Sequence, residues 1–378
     1  MFGNKTAHNN SCLLFRTAAK IICIMPKRNR IKVREVSREE YDLNFSKYHY
    51  SLFLVSEFID SLADGKRIYY LNFERGGEVV AKLSGLGVNK KGVVGTYLYC
   101  YAGPAIIEYS EELYNLCLEA LRRWARKNRL SRVDICYYDQ QHQWRCQAKG
   151  YYSRANREFV RYFDPEEESP SFTKSVRYNA RKAARLNPVF GEETSERMLQ
   201  KLHEMLKATH EVRNERHNGN YKAYPYESMT KEGVDRLFNS GYMKLYYLEV
   251  DGVIHCVRLA IERDKRIYGL MIGGDEFAYK NGLAHYLQYQ LINKLHKEGY
   301  KYYNISVVNF GEDGLVAYKE SLGCMRHKVH GAYTHFLTFP RYLLNPVMNT
   351  GRFVAGNKHL KKLIAFGYKK ITGVEADI

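Results

Sequence analysis

One stretch decides the fold of this chain: residues 266–307, which read RIYGLMIGGDEFAYKNGLAHYLQYQLINKLHKEGYKYYNISV. An apolar run comes first, then a turn containing glycine, then apolar residues spaced at i, i+3, i+4 and i+8, and finally a second apolar run. This order predicts a strand, a helix with one face buried on a sheet, and a second strand. A helix that crosses between two strands makes a βαβ unit, so we expect the strands to be parallel.

The same pattern occurs once more, earlier in the chain, and the two copies are related by an offset of 170 residues. The offset pairs Gly103 with Gly273, Leu113 with Leu283, Cys117 with Leu287, Leu121 with Leu291 and Ile135 with Ile305. Self-similarity across a whole strand-helix-strand unit indicates an internal repeat. Each copy is followed by a glycine, Gly150 or Gly323, which is predicted to open an antiparallel hairpin that closes its half.

The repeat predicts an α/β protein with mixed sheets and two homologous domains, at residues 31–165 and 166–378. The acidic, proline-bearing segment DPEEESPS is typical of a linker between them. Residues 1–30 are predicted to be an extension outside the fold, with Met25 as a candidate functional start. The second domain is expected to end in a C-terminal extension.

Composition favours an anionic partner. Lys and Arg number 59 against 41 Asp and Glu, which gives a net charge of +18 and suits phosphorylated or nucleic-acid ligands. A basic surface without a ligand remains the alternative. The eight cysteines include no C-x-x-C pair, so no metal site is expected and a reducing cytoplasm fits best. No segment has 18 uninterrupted apolar residues, so no transmembrane span is expected.

The turn before the central helix, YKNGLA at residues 279–284, is a candidate anion site. Glycine lets backbone amides approach a pyrophosphate, and the following helix directs the positive end of its dipole at the charge. A structural turn without a ligand is the alternative interpretation.

A basic helix is predicted at residues 171–187. Arg177, Arg181 and Arg185 are spaced at i, i+4 and i+8 and share one face, and Tyr178 lies among them. This face could bind a nucleic-acid donor through charge and stacking. A solvated helix packed through its alanine face is the alternative, and both interpretations can hold together.

The order of elements in the second half resembles that of the GNAT N-acyltransferases. Their acyl-CoA-binding turn follows Q/R-x-x-G-x-G/A, and this chain keeps Gly282 and Ala284 while Tyr279 replaces the Gln or Arg. The resemblance implies a donor-binding site formed by this turn, with Lys280 as an added cation and Asn281 beside the glycine.

Two GNAT-like halves, a basic helix and the segment YKESLG together resemble the Fem family (FemA, FemB and FemX). Those enzymes move amino acids from aminoacyl-tRNA onto the peptide of a peptidoglycan precursor. In the family, a lysine in this segment contacts the donor or the developing charge. The matching residue is Lys319, and Tyr318 matches an aromatic position, so both are predicted to be catalytic. A solvated helix lysine is the alternative for Lys319.

A long loop is predicted at residues 209–228, where Arg, His and Tyr are mixed. A loop of this length suggests closure over a ligand. Its candidate acceptor-binding residues are Arg213, Arg216, His217 and Tyr226. A purely structural loop is the alternative.

These features predict an N-acyltransferase that moves an aminoacyl or acyl group to a primary amine, with a cell-wall precursor as one candidate acceptor. Aminoacyl-tRNA or acyl-CoA would be the co-substrate, and no permanently bound cofactor is expected. In a GNAT-like fold, two strands would diverge near residues 271–274 and 306–309 and leave backbone amides free for the carbonyl. The alternatives are an inactive nucleic-acid-binding protein and an enzyme that transfers aminoacyl groups to a lipid head group.

Overall fold

The structure is a computed structural model, and it describes residues 30–90, 95–216, 229–309, 311–346, 348–350 and 359. Met25 and nearly all of the predicted extension lie outside the described residues, as do His217 and Tyr226. In the part of the chain that the structure describes, no helix combines the length and apolarity needed to cross a membrane.

The first half of the chain contributes seven strands and three helices among the described residues. They are β1 (Lys32–Glu35), α1 (Arg38–Asp42), α2 (Ser56–Ser61), β2 (Arg67–Arg75), β3 (Glu78–Lys90), β4 (Gly95–Cys100), β5 (Ala105–Ile106), α3 (Glu111–Lys127), β6 (Val133–Ile135) and β7 (Tyr151–Tyr162).

The second half contributes six strands and six helices among the described residues. They are α4 (Lys174–Ala184), β8 (Val189–Glu192), α5 (Glu196–Arg216), α6 (Lys231–Asn239), β9 (Lys244–Val250), β10 (Val253–Arg263), β11 (Arg266–Gly274), α7 (Glu276–Asn281), α8 (Leu283–Lys297), β12 (Tyr302–Val307), α9 (Asp313–Ser321) and β13 (Met325–Thr334).

Two parallel strand pairs confirm the predicted βαβ unit in each half. In the first half β4 pairs with β6, with Leu98 opposite Val133. In the second half β11 pairs with β12, with Arg266 opposite Tyr302. The connecting helices α3 and α8 both bury an apolar face, as the spacing predicted.

The two connecting helices begin differently. Ser110 caps α3, because its side chain accepts a hydrogen bond from the backbone N–H of Leu113. The residue that precedes α8 is Gly282, which has no side chain to cap the helix. The first-turn amides of α8 therefore lack the side-chain partner that α3 has.

All thirteen described strands form one sheet, in the order β1-β2-β3-β4-β6-β13-β7-β12-β11-β10-β9-β8, with β5 paired to β3. The predicted hairpin at the end of each half is wrong. Gly150 and Gly323 do adopt positive φ angles of 81° and 78°. Each glycine, however, opens one long strand, and these two strands pair with each other. As a result, β7 completes the sheet beside β12, and β13 completes the sheet beside β6.

Side chains also join the halves near this exchange. The Phe53 ring packs edge-on against Tyr268, with the centroids 4.7 Å apart. Arg266 donates from Nη1 to the Tyr50 carbonyl oxygen at 2.7 Å. Because strands and side chains are shared, the division at residue 165 remains a prediction.

Candidate functional site

A cavity opens where β11 and β12 separate. The two strands pair only over Arg266–Tyr268 and Tyr302–Asn304, and both continue beyond this point. The divergence therefore lies in the expected strands but begins earlier than the predicted 271–274 and 306–309. Ser306 has a φ angle of 71°, a left-handed conformation that is uncommon outside glycine. The cavity between the strands has a volume of about 880 Å³.

The cavity wall is strongly basic. Helices α5, α6, α8 and α9 and strands β10, β11 and β12 all contribute to it. Among the described residues, the charged part of the lining consists of one acid, Glu204, and the cations Lys207, Arg213, Lys231, Arg258 and Lys319. A concave site with this balance favours an anionic ligand.

Gly282 lies in the cavity wall at the start of α8. Its φ angle is 70°, and a Cβ atom at this position would meet nothing within 4 Å. Glycine is therefore suited to this position by its backbone conformation, and the space beside it is open to a ligand. Ala284 and Tyr279 line the same cavity, whereas Lys280 and Asn281 are not among the lining residues.

The predicted glycine turn contains a short helix, α7, that the sequence reading missed. Asn281 ends this helix, and its Nδ2 donates to the Phe277 carbonyl oxygen at 3.0 Å. Lys280 is exposed in its last turn. The local bonding of Asn281 explains why its side chain is directed to its own helix rather than to the cavity.

Tyr279 ties α7 to α5 and to the end of β11. Its hydroxyl donates to Thr209 Oγ1 at 3.3 Å. Thr209 in turn accepts from the Gly274 N–H at 2.9 Å and bonds the Gly274 carbonyl oxygen at 3.0 Å. The N–H of Gly274 is consequently occupied by Thr209 and is not available to a ligand.

Lys319 is buried on α9 and holds the end of β12. Its Nζ donates to the carbonyl oxygens of Ile305 at 2.6 Å, Ser306 at 3.0 Å and Val307 at 3.0 Å. Burial and the nearby Arg258 guanidinium lower the pKa of Lys319 to about 7. The three acceptors oppose this shift, because a neutral amine has only two N–H groups. The interpretation as a solvated helix lysine is therefore wrong.

Two further side chains of the wall have fixed protonation states near neutral pH. The rings of His285 and Tyr318 meet edge-on with centroids 4.6 Å apart. Burial lowers the pKa of His285, so its imidazole is neutral at pH 7. Burial raises the pKa of Tyr318, so its hydroxyl stays protonated.

A chain of hydroxyl groups links the cavity to a buried pair of acids. Ser306, in the cavity wall, has its Oγ 3.1 Å from the Tyr268 hydroxyl. The same hydroxyl lies 3.2 Å from Glu158 Oε1, and Glu158 accepts from the Asp139 N–H at 2.8 Å. Burial and the Asp139 carboxylate raise the pKa of Glu158 to about 8.

The equivalent place in the first half is filled. A Cβ atom on Gly103, the counterpart of Gly273, would overlap the Tyr114 hydroxyl. Tyr114 is 1% exposed and is the counterpart of Ala284. The space left beside Gly103 is about 10 Å³, which holds no ligand larger than a water molecule.

Of the other predicted residues, Arg213 lines the cavity, and the rest are not among its lining residues or lie outside the described residues. Arg177, Arg181 and Arg185 are exposed, and α4 packs its buried face on α8. The predicted loop 209–228 is wrong for residues 209–216, which form the last turns of α5 because the apolar helical spacing continues there. Arg213 lines the cavity from this helix, and Arg216 is its final residue.

Several lining residues carried a signal that the sequence reading missed. His203, Lys207, His210 and Arg213 recur at helical spacing along one face of α5. Arg258 is the single charged residue in the run CVRLAI. A charge inside an apolar strand is expensive to bury and so marks a candidate site.

Comparison with known proteins agrees with this architecture. The sequence profile of the acetyltransferase (GNAT) domain family matches residues 170–320. The second half of the chain carries a GNAT domain. This GNAT region includes the cavity wall from α5 to Lys319. No curated protein matches the chain by sequence.

Solved structures share the tandem GNAT fold. FemX covers 83% of this chain and 99% of its own, with a TM-score of 0.62 and 14% identity. L-PGS from Bacillus licheniformis covers 81% and 95%, with a TM-score of 0.54 and 16% identity. The C-terminal domain of a putative lysylphosphatidylglycerol synthetase from Agrobacterium fabrum covers 83% and 95%, with a TM-score of 0.52 and 13% identity. The predicted fold class and the resemblance to the Fem-like fold are thereby confirmed.

Proposed function

We propose that this protein is an N-acyltransferase that moves an aminoacyl or acyl group from an activated carrier to a primary amine. The observation that carries this proposal is the basic cavity between diverging β11 and β12, with the N-terminus of α8 in its wall. Aminoacyl-tRNA and acyl-CoA are the two candidate donors. A peptidoglycan precursor or another amino-acid-containing molecule is the candidate acceptor.

The reaction needs no covalent enzyme intermediate. The acceptor nitrogen attacks the donor carbonyl carbon, a C–N bond forms, and the C–O or C–S bond to the carrier breaks. The proton that the amine loses to the enzyme is returned to the carrier, which leaves as an alcohol or a thiol. Backbone N–H groups of β11 beyond Tyr268 face no strand partner in β12 and could stabilise the oxyanion. Lys319 would act as a positioning residue, since its three bonds hold the end of β12 where this gap is needed.

Two groups could take the proton that the amine loses. His285 is neutral at pH 7 and lies in the wall, so it could act directly. Alternatively, the proton passes to Ser306 Oγ while the Ser306 and Tyr268 hydroxyl protons shift along to the Glu158 carboxylate. The second route requires ionised Glu158, whose pKa is about 8, so its rate would rise toward pH 8.

The two routes can be distinguished by pH profiles of single-turnover rates. If the hydroxyl chain carries the proton, Glu158→Gln should remove the rise toward pH 8, while His285→Gln should leave that rise in place. If His285 is the base, His285→Gln should abolish the rise near the lower pKa and Glu158→Gln should have little effect.

Phosphate groups of the donor would lie at the rim of the cavity. Lys207 and Lys231 are exposed, and Arg213 is half-buried near them in the wall. The open N-terminus of α8 adds the positive end of a helix dipole. The exposed arginines of α4 would extend this basic surface toward a tRNA donor.

Turnover measurements test the proposal. Purified protein is incubated with total aminoacyl-tRNA, acetyl-CoA or longer acyl-CoA, together with amine acceptors that include amino acids, a cell-wall peptide precursor and phosphatidylglycerol vesicles. Formation of a new amide with one donor supports the proposal, and an ester on the lipid would favour the lipid head-group alternative. An absence of transfer with every donor, despite binding of tRNA, would favour an inactive nucleic-acid-binding protein.

A further inference from the structure

Arg258 is a buried cation that forms no salt bridge with the residues that the structure describes. It lies on β10 between Val257 and Leu259, both fully buried, and is itself 5% exposed. Nε and Nη2 of its guanidinium have no hydrogen-bond partner among the described residues. The guanidinium also has a side-chain hydrogen bond with Tyr303. Burial of Nε and Nη2 is nevertheless unfavourable, because these two groups have lost water and gained no acceptor.

The surroundings of Arg258 supply aromatic faces and another positive charge. Its Cζ is 5.8 Å from the centroid of the Tyr303 ring, a weak cation–π contact. The neighbouring cation is Lys319, whose three N–H groups are already donated to β12. The described part of the cavity wall contains one acid, Glu204, which is exposed on α5. The buried end of the described lining therefore carries two cations and no acid, while Glu158 and Glu312 lie behind the lining and favour the charged form of Lys319.

Strand β11, beside Arg258, has a glycine at the position that faces the guanidinium. A Cβ atom on Gly269 would overlap Nη2 of Arg258, so any other residue at this position would displace the guanidinium. Both Gly269 and Arg258 border the cavity. A buried guanidinium that has Tyr303 beside it, two N–H-bearing nitrogens without an acceptor and no carboxylate partner is expected where a ligand supplies the missing anion.

We propose that Arg258 binds the free carboxylate of the amine acceptor, which makes the acceptor an amino acid or a peptide. This assignment rests on the proposed transfer reaction. In an activated donor the acyl carboxyl is esterified or thioesterified, so a free carboxylate belongs to the acceptor. The phosphates of the donor would bind to the exposed cations of the rim, Lys207 and Lys231, and to the N-terminus of α8.

A pair of ligands that differ only in the carboxylate tests the assignment. Calorimetric titration of the full chain compares dialanine, which has a free carboxylate, with dialaninamide, which lacks it, and with inorganic phosphate. We expect dialanine to bind at least about tenfold more tightly than dialaninamide, as a charge-assisted hydrogen bond provides. Arg258→Met should remove this preference, and Arg258→Lys should retain part of it.

Stability gives a second readout that a structural arginine would not match. Arg258→Met removes an uncompensated buried charge and keeps an apolar side chain, so its melting temperature without ligand should equal or exceed that of the wild type. Arg132→Met is the matched control: Arg132 also has an unpartnered Nε, and it lies outside the cavity. This control should keep the preference for dialanine. Should Arg258→Met not fold, Arg258→Gln takes its place in the titrations.

Three results would overturn the carboxylate assignment: no preference for dialanine in the wild type, an undiminished preference in Arg258→Met, or a loss confined to phosphate binding. A lower melting temperature with unchanged binding would make Arg258 structural. The proposed function fails separately, since turnover could be absent with every donor while the Arg258-dependent preference for dialanine is intact.

Discussion

The Tyr114 hydroxyl occupies the space that a side chain on Gly103 would need. In the second copy of the repeat, the counterpart of Tyr114 is Ala284, which lines the cavity of about 880 Å³. The space beside Gly273, the counterpart of Gly103, is taken by the α5 backbone at Met205 and Leu206. The two copies therefore differ both in the size of the residue at this repeated position and in what covers the glycine.

Ala284→Tyr should abolish ligand binding and leave the protein folded. Ala284 lines the cavity, so a tyrosine at this position would extend into open space and overpacking is expected to be small. Binding of the donor and turnover should both fall at least about 100-fold, with a small change in melting temperature. Ala284→Ser, which adds one atom, is the control and should keep both. Normal turnover in Ala284→Tyr would mean that the chemistry takes place elsewhere.

Gly282→Val should weaken the donor site beyond its effect on stability. The positive φ angle makes any side chain unfavourable by about 1–2 kcal/mol. Gly252 provides a matched control, because its φ angle is 79° and a Cβ atom there also meets nothing within 4 Å. Both valine variants should lose similar stability in denaturant titrations, and only Gly282→Val should lose donor affinity. Equal donor affinity in the two variants would make Gly282 a simple turn.

Replacing Arg177, Arg181 and Arg185 together by Gln should weaken tRNA binding and reduce its salt dependence. If each arginine meets one phosphate, the slope of log K against log salt should fall by about 2 to 3. All three are exposed, so the melting temperature should change little.

The control for that charge loss is Arg126, Lys127 and Arg129 changed to Gln, since these residues are exposed in and just after α3. This variant removes three charges at a different surface and should retain the wild-type salt slope. If both variants lose the same affinity, binding depends on overall charge and not on α4.

Glu158→Gln should change how stability depends on pH. The pKa of Glu158 is 4.5 in the reference state and about 8 in the folded protein, so the folded state holds a proton that the unfolded state releases. Its contribution to the free energy of unfolding is fully present below pH 4.5 and is lost as pH rises through 8. The wild type should therefore lose stability relative to Glu158→Gln between pH 5 and 8.5. A constant difference in denaturant titrations across this range would contradict the raised pKa.

Local pattern was sufficient for the repeated βαβ unit, but not for strand pairing across the two halves. Gly150 and Gly323 do open strands, as their sequence context indicates, yet the partner of each strand lies in the other half. The residues of a strand do not by themselves determine which strand, distant in sequence, will pair with it. Glu158 could not be recognised for a similar reason, because its burial depends on contacts far away in sequence, whereas Arg258 stands out locally as the one charge in the run CVRLAI.

Neither half of the chain contains all the strands of its own part of the sheet. A fragment ending near residue 165 would leave β6 without β13, and the remaining fragment would leave β12 without β7. Unpaired strand edges of this kind associate with other chains, so each fragment should aggregate when it is produced alone. When the two fragments are refolded as a mixture, each should instead pair with the other and restore the complete sheet. Because both copies belong to one polypeptide, we expect the two halves to fold as a single cooperative unit. The first half, whose site is filled, would then be required to stabilise the second half, whose site is open.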